Sequence, residues 1–450
     1  MKKLMIVAVT TAMIALMVSN LPASISWERT YPELGSSVVF SICQTTDGGY
    51  AFTGVTQLEY DYGDLYIAKV DSLGNLLDHR IFHRSDCTYG KVIKETPGGL
   101  AVLGADYSGP AGQSNCSFWL LKTDSNGDTL WMKNYGTKAG PRSMDICLDS
   151  GFIMTGYIEV ENPGDYLDIL LVRADKNGNL VWEKNLGGYC GQQIRTREDG
   201  YYDLLADDNG PWFLELDNNG DTLWTKHLTG SLNYFSPTSD NGYIMTGSPR
   251  FSRELWVAKT DGNAEIEWER TYLSGEDYQN HYGHTIWQTN DDGYIVIADI
   301  FQDPNTKRAV WLLKLNEFGD TTLTRIFTGP NDEGCMVEGA APTLDGGAII
   351  AGRGGAYGSY LLKTDENGCV GVNEDDNDNL LQVIRVFPNP SRGQIYFQTD
   401  SPNPIELKIY DITGRLVKEV MVEKKMRIDL PNGIYFWQAE NQQGKIIVVK

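Results

Sequence analysis

The feature that most constrains this chain is a repeat of 42 to 55 residues, marked each time by a strand ending in Lys-x-Asp-x-x-Gly or a relative of it. The copies are Lys69, Asp71 and Gly74; Lys122, Asp124 and Gly127; Arg173, Asp175 and Gly178; Glu215, Asp217 and Gly220; a shortened Lys259 and Asp261; Lys314, Asn316 and Gly319; and Lys363, Asp365 and Gly368. Ahead of each lies a glycine turn: Asp47-Gly48-Gly49, Pro97-Gly98-Gly99, Asp149-Ser150-Gly151, Asp199-Gly200, Asp240-Asn241-Gly242, Asp292-Gly293 and Asp345-Gly346-Gly347. Seven units of this length with strand-like content fall in the range of propeller blades.

A third mark, a strand carrying Trp, follows only six of the units: Trp131, Trp182, Trp224 and Trp268, with Leu77 and Leu323 in weaker copies. The missing copy stands at the other end of the chain. Trp27-Glu28-Arg29-Thr30-Tyr31 repeats Trp268-Glu269-Arg270-Thr271-Tyr272 residue for residue. We therefore expect Trp27 to Tyr31 to be the last strand of the seventh sheet, hydrogen-bonded beside residues 359 to 365 and closing a ring.

Segments between the marks, such as Phe118-Trp-Leu-Leu-Lys122 and Tyr294-Ile-Val-Ile-Ala298, are short, apolar and bounded by Gly, Asp or Asn. Adding a less regular strand before each glycine turn gives four per unit. One such sheet has two faces to bury, and a ring of sheets buries both. The expected fold is thus all-β: a seven-bladed β-propeller over 27–372, closed by its N-terminal strand.

The segments outside the ring have other signatures. Lys2 and Lys3 precede an apolar run from Leu4 to Val18, and Ser24-Ile25-Ser26 offers small residues, so 1–26 is expected to be a signal peptide. That run is short for a membrane span, and no later segment is apolar for long enough to provide one. Residues 373–379 form an acidic linker, and 380–450 contain seven short strand-like stretches suited to a small β-sandwich. Of seven cysteines, Cys43 and Cys147 occupy a stretch that is Ile-rich in other copies and are expected to be buried thiols; Cys87 with Cys116 is a candidate bridge.

A net charge of -22 argues against nucleic acid and anionic membrane as partners, because phosphate binding needs clustered Lys and Arg. Asp124-Ser-Asn-Gly127-Asp128 and Asp217-Asn-Asn-Gly220-Asp221 fit hairpin turns and also resemble incomplete calcium loops, leaving calcium as the one cofactor open. In an up-and-down blade the two kinds of turn share one face. The connections that vary share the other, and variable loops on a constant scaffold are where binding residues gather. That face is acidic and tyrosine-rich, with candidate ligand-binding residues Tyr60, Tyr62, Tyr107, Tyr166, Tyr278, Tyr282, His281 and His284. No catalytic residue and no metal ligand set is assigned. A binding module for an extracellular glycan or protein is the leading reading; a glycan-active hydrolase or lyase on the same scaffold is the alternative.

The C-terminal stretch carries three ordered blocks: Phe387-Pro388-Asn389-Pro390; Ile409-Tyr410-Asp411 with Gly414 and Arg415; and Leu430-Pro431-Asn432-Gly433-Ile434-Tyr435. These blocks resemble the type A C-terminal sorting domain of the type IX secretion system. The resemblance implies an Ig-like sandwich, contact with that machinery, and delivery to the cell surface or release. The residues it implies are Pro388, Asn389, Pro390, Asp411, Gly414, Arg415, Gly433 and Tyr435. The ring resembles secreted bacterial propeller repeats, which bring no catalytic residues with them.

Overall fold

The structure, a computed structural model, describes residues 26–56, 63–84, 87–108, 115–162, 165–248, 253–274, 280–301, 308–355, 358–370, 384–387, 394–399, 404–412, 415–439 and 442–448. Residues 1–25 of the expected signal peptide and all of the acidic linker lie outside them. The chain divides into two compact units, Met1–Gly371 and Val372–Lys450.

The first unit contains seven four-stranded antiparallel sheets. In the first blade, Ser37–Gln44, Tyr50–Thr56, Leu65–Val70 and Leu76–Phe82 lie side by side in sequence order. The next five blades begin with Cys87–Thr96, Ala139–Ile146, Cys190–Thr196, Ser231–Pro237 and Asn280–Gln288. The seventh is composite. Its strands Cys335–Pro342, Ala348–Gly354 and Gly358–Thr364 are completed by Trp27–Thr30, which runs antiparallel with Trp27 opposite Lys363 and Thr30 opposite Tyr360. The N-terminal closure read from the pentapeptide is therefore present. Further bonds tie the seventh blade to the first: Ser359 Oγ lies 2.6 Å from Ser37 Oγ and 2.9 Å from Tyr66 Oη. Packing is face on face, as where Ile297 and Leu312 of the sixth blade share a core with Ile350 and Leu362 of the seventh.

The recurring Trp and Gly are two halves of one joint. A Cβ added to Gly74 would lie 2.8 Å from the Trp27 ring, and one added to Gly319 would lie 2.9 Å from that of Trp268. Gly178 under Trp131 and Gly220 under Trp182 repeat the arrangement. Each Trp thus covers the Asp-x-x-Gly turn of the following blade. The tyrosine four residues later hydrogen-bonds to the same turn: Tyr31 Oη donates to Gly74 O at 2.9 Å, Tyr135 to Gly178 O and Tyr272 to Gly319 O at 2.6 Å. The two identical pentapeptides do the same work at two blade interfaces.

A second link lies within six of the seven blades, the second having Pro97 where the others have a charged turn residue. The basic residue ending the third strand reaches the aspartate of its own glycine turn in Arg173–Asp149 (2.6 Å), Lys259–Asp240 (2.7 Å), Lys314–Asp291 (3.2 Å) and Lys363–Asp345 (2.9 Å). The fourth blade swaps the charges, with Glu215 in the strand and Arg197 at the turn, 2.7 Å apart.

Three expectations are corrected. The copy at Asp261 is not shortened: Asp261 N–H bonds Glu265 O as its counterparts do, and Ala264 takes the left-handed position at φ 56° where the others have glycine. In the sixth blade the aspartate of the turn is Asp291, and Asp292 occupies the left-handed position at φ 60°. Cys87 and Cys116 both stand opposite Tyr107 on strands either side of it. Two strand spacings, about 9.5 Å, exceed the roughly 4.4–6.8 Å that a disulfide spans, so this pair is not bridged. Cys147 is buried and Cys43 half-buried, and burial pushes both thiols up, to about 11 and about 12.

The second unit is a two-sheet sandwich. Ile384–Phe387, Gln394–Thr399 and Lys425–Asp429 form one sheet; Leu416–Val422, Ile405–Asp411, Gly433–Ala439 and Gln442–Val448 form the other. Strand alternation turns Ile395, Phe397, Leu407, Ile409, Trp437 and Ile446 into a common core.

Candidate functional site

The first strand of every blade lines the central axis, and each carries one irregularity of register at the same place. The residues left over are Phe40, Lys91, Arg142, Gln192, Asn233, His284 and Glu338, one per blade. A bulge leaves one residue out of the ladder and re-aims its side chain. Here the bulges recur while the side chains differ, so a repeated scaffold presents a non-repeating ring.

Backbone groups near the bulges are taken up by the adjoining blade. Ser41 Oγ accepts from Ile93 N–H at 3.1 Å and Ser143 Oγ from Ile194 N–H at 3.2 Å. Gln193 both donates to Phe235 O and accepts from its N–H, and Asp299 accepts from Val337 N–H at 2.9 Å. Asn233 donates to Gly283 O at 3.0 Å.

Two chambers meet at this ring. One of about 590 Å³ opens between Asp207–Pro211, Gly230–Leu232 and the ring residues Lys91, Arg142, Gln192, Asn233, His284 and Glu338. The other, about 340 Å³, shares those six and Phe40, and continues past Lys94, Met144 and Arg195 to Pro342. The wider chamber opens on the face of variable connections, because Asp207–Pro211 joins second and third strands and Gly230–Ser231 joins two blades.

Charge around the ring is lopsided. Lys91 and Arg142 occupy neighbouring blades, and their side chains lie against rings: Lys91 Nζ is 5.2 Å from the Phe40 centroid and the Arg142 guanidinium 5.9 Å from that of Tyr157. Burial lowers the Lys91 pKa, with Glu338 opposing and Arg142 adding to the shift. Burial raises that of Glu338, against the pull of Lys91 and His284. His284 Nε2 lies 3.1 Å from Asp299 Oδ2. Below the ring, Lys94 meets Asp145 at 2.6 Å; burial works to raise the Asp145 carboxyl, yet Lys94 and Arg195 hold it below the usual range.

Of the residues proposed from sequence, His284 faces the channel. His281 is buried, its ring between Ser274 Oγ at 2.8 Å and Arg253 O at 2.8 Å, where it holds a connection in place. Tyr282 is exposed and packs edge-on against Phe301. Tyr107 and Tyr166 lie in strands, their side chains outside the described residues, as are Tyr60, Tyr62 and Tyr278 entirely. Sequence reasoning missed Lys91, Arg142, Gln192 and Glu338, since a bulge leaves the two-residue alternation only one position out of phase. A comparison of the blades two residues before the apolar column Ile42, Ile93, Met144, Ile194, Phe235, Ile286 and Ala340 would have shown a position that differs in every copy.

In the sandwich, Arg415 donates to Asp411 through its backbone N–H (3.1 Å) and its Nε (3.0 Å), closing a hairpin, and Tyr435 Oη donates to Pro431 O at 3.0 Å. Gly433 begins the strand that carries Tyr435. Pro388, Asn389, Pro390 and Gly414 lie outside the described residues. Residues 385–450 match the secretion system C-terminal sorting domain. This sorting domain marks the chain for export by the type IX system, to the cell surface or beyond it.

No curated protein matches the sequence. Among solved structures, a protein of unknown function from Bacteroides caccae is similar at 11% identity and TM-score 0.41, over 61% of this chain and 93% of that one. PorZ, an essential bacterial surface component of the type IX secretion system of Porphyromonas gingivalis, is similar at 12% identity and TM-score 0.45, over 90% of this chain and 59% of that one. BBS1N, solved in complex with ARL6DN, is similar at 12% identity and TM-score 0.47, over 76% and 96%. No helix among the described residues is long and apolar enough to cross a membrane.

Proposed function

We propose that the propeller is an extracellular binding module which takes its ligand at the loop-face mouth of the axial channel, after export directed by the sorting domain. The observation that carries this reading is the ring of seven bulges, where a repeated backbone presents seven different side chains to one channel, six of them to its wider chamber. Structural repetition alone has no need of that diversity, and a concave polar site with a few convergent groups is the usual form of a binding pocket. The sorting domain supplies the location: whatever the channel takes is met outside the cell.

Two experiments test the two halves. A glycan array probed with the purified chain, run beside a polysaccharide degradation screen, should give binding without turnover, and binding should fall when Gln192 and Asn233 are replaced by alanine. Turnover of any polysaccharide would replace this reading with that of a hydrolase or lyase. For export, removing residues 380–450 should retain the chain inside a host with the type IX system; undiminished surface delivery would show that the sorting domain is dispensable.

A further inference from the structure

Lys91 and Arg142 pose a question that the fold alone does not answer. The chain has 60 carboxylates against 38 Lys and Arg, an excess from which a counter-ion is easily supplied. Several cations elsewhere in the ring have one, as Lys94 has Asp145, Arg84 has Asp106 and Lys363 has Asp345, while buried Lys122 and half-buried Arg195 donate instead to Thr123 O and Tyr234 Oη. Among the described residues neither Lys91 nor Arg142 lies within ion-pair distance of any carboxylate, although both border the wide chamber from adjacent blades. Two like charges side by side in a confined space repel, and the arrangement is relieved when an anion sits between them.

We infer that the axial channel takes a sugar acid, its carboxylate held by Lys91 and Arg142 and its hydroxyls by the amide side chains of Gln192 and Asn233. The inference rests on the reading of the channel as the binding place and names its ligand class. Asn233 already gives one N–H to Gly283 O, which fixes the amide in the chamber wall, and the Gln192 side chain makes no hydrogen bond to another described residue. A chamber of about 590 Å³ suits one or two sugar rings. Phe40 and Tyr157 flank the cations and hold them in the channel. Glu338 faces Lys91 from the far side and competes with the incoming carboxylate for it.

Isothermal titration of the full chain with glucuronate, and with glucose as its uncharged counterpart of the same size, tests this. Glucuronate should bind saturably and glucose should not. Arg142→Met and Lys91→Met should each weaken glucuronate about tenfold or more, as expected for loss of a charge-assisted hydrogen bond, and Glu338→Gln should tighten it. If glucuronate fails to bind, if glucose binds equally well, or if Arg142→Met keeps both its melting temperature and its affinity for glucuronate, the inference is overturned. Should Arg142→Met fail to fold, Lys91→Met decides by the same criteria. A neutral glycan that binds at the channel mouth on the array would sustain the proposed function while sinking this assignment.

Discussion

Gly74 and Gly48 share a left-handed backbone, at φ +79° and +86°, and differ in what surrounds them. An alanine at Gly48 would meet no atom within 4 Å, so its cost is the left-handed penalty of about 1–2 kcal/mol. At Gly74 the same methyl would press on the Trp27 ring, adding the roughly 1–3 kcal/mol typical of overpacking. Chemical denaturation of Gly48→Ala and Gly74→Ala should show the second to be clearly the less stable; equal losses would mean that the Trp–Gly joint carries no packing energy. The same comparison explains Ala264: the fourth blade's Trp224 packs on a core that includes its buried methyl, and that packing offsets the strain at φ 56°.

Within a blade, the pairing of third-strand cation with turn aspartate shows how the fourth blade can reverse its charges and keep its shape. Reversal buries a further acid. Asp203 accepts from Tyr243 Oη at 3.0 Å beside Arg197, and burial raises its carboxyl to about 6, with Arg197 and Tyr243 opposing. A folded-state pKa above the unfolded one means that protonation favours the fold. This contribution is complete below the ordinary carboxylate value near 3.8 and is lost as the pH rises through about 6. Asp203→Asn should therefore flatten the change in unfolding free energy between pH 4 and pH 7 by up to about 2–3 kcal/mol. Urea titrations at the two pH values measure it, and an identical slope in wild type and variant would rule out Asp203 as the titrating group.

At the scale of the whole ring, stability hangs on a strand separated from its neighbour by most of the chain. Trp27–Thr30 covers the edge of Gly358–Thr364, and Tyr360 Oη donates to Glu28 at 2.8 Å. Trp27 is 3% exposed, whereas Trp268, its counterpart within the chain, is half-buried. Trp27→Ala should cost about 3–5 kcal/mol, the range for a large aromatic core residue, and Trp268→Ala less. Denaturation followed by tryptophan fluorescence compares them; a smaller loss for Trp27→Ala would mean that the ring is held by its other interfaces.

The count of blades, the closing strand and the sandwich were legible because each rests on local chemistry: left-handed turn positions need Gly, Asn or Asp, strands need alternation, and Trp27 to Tyr31 repeats Trp268 to Tyr272 letter for letter. The turn at Ala264 escaped for the complementary reason, since alanine is not a residue that announces a positive φ. The channel escaped because a bulge is a property of two paired strands, visible only once Gly90 and Val92 are seen to straddle Lys91 against their partners. Sequence periodicity determined which residues form each sheet. Bringing Phe40, Lys91 and Arg142, about 50 residues apart in turn, to one axis was decided by ring closure, which converts one position in every repeat into a common surface.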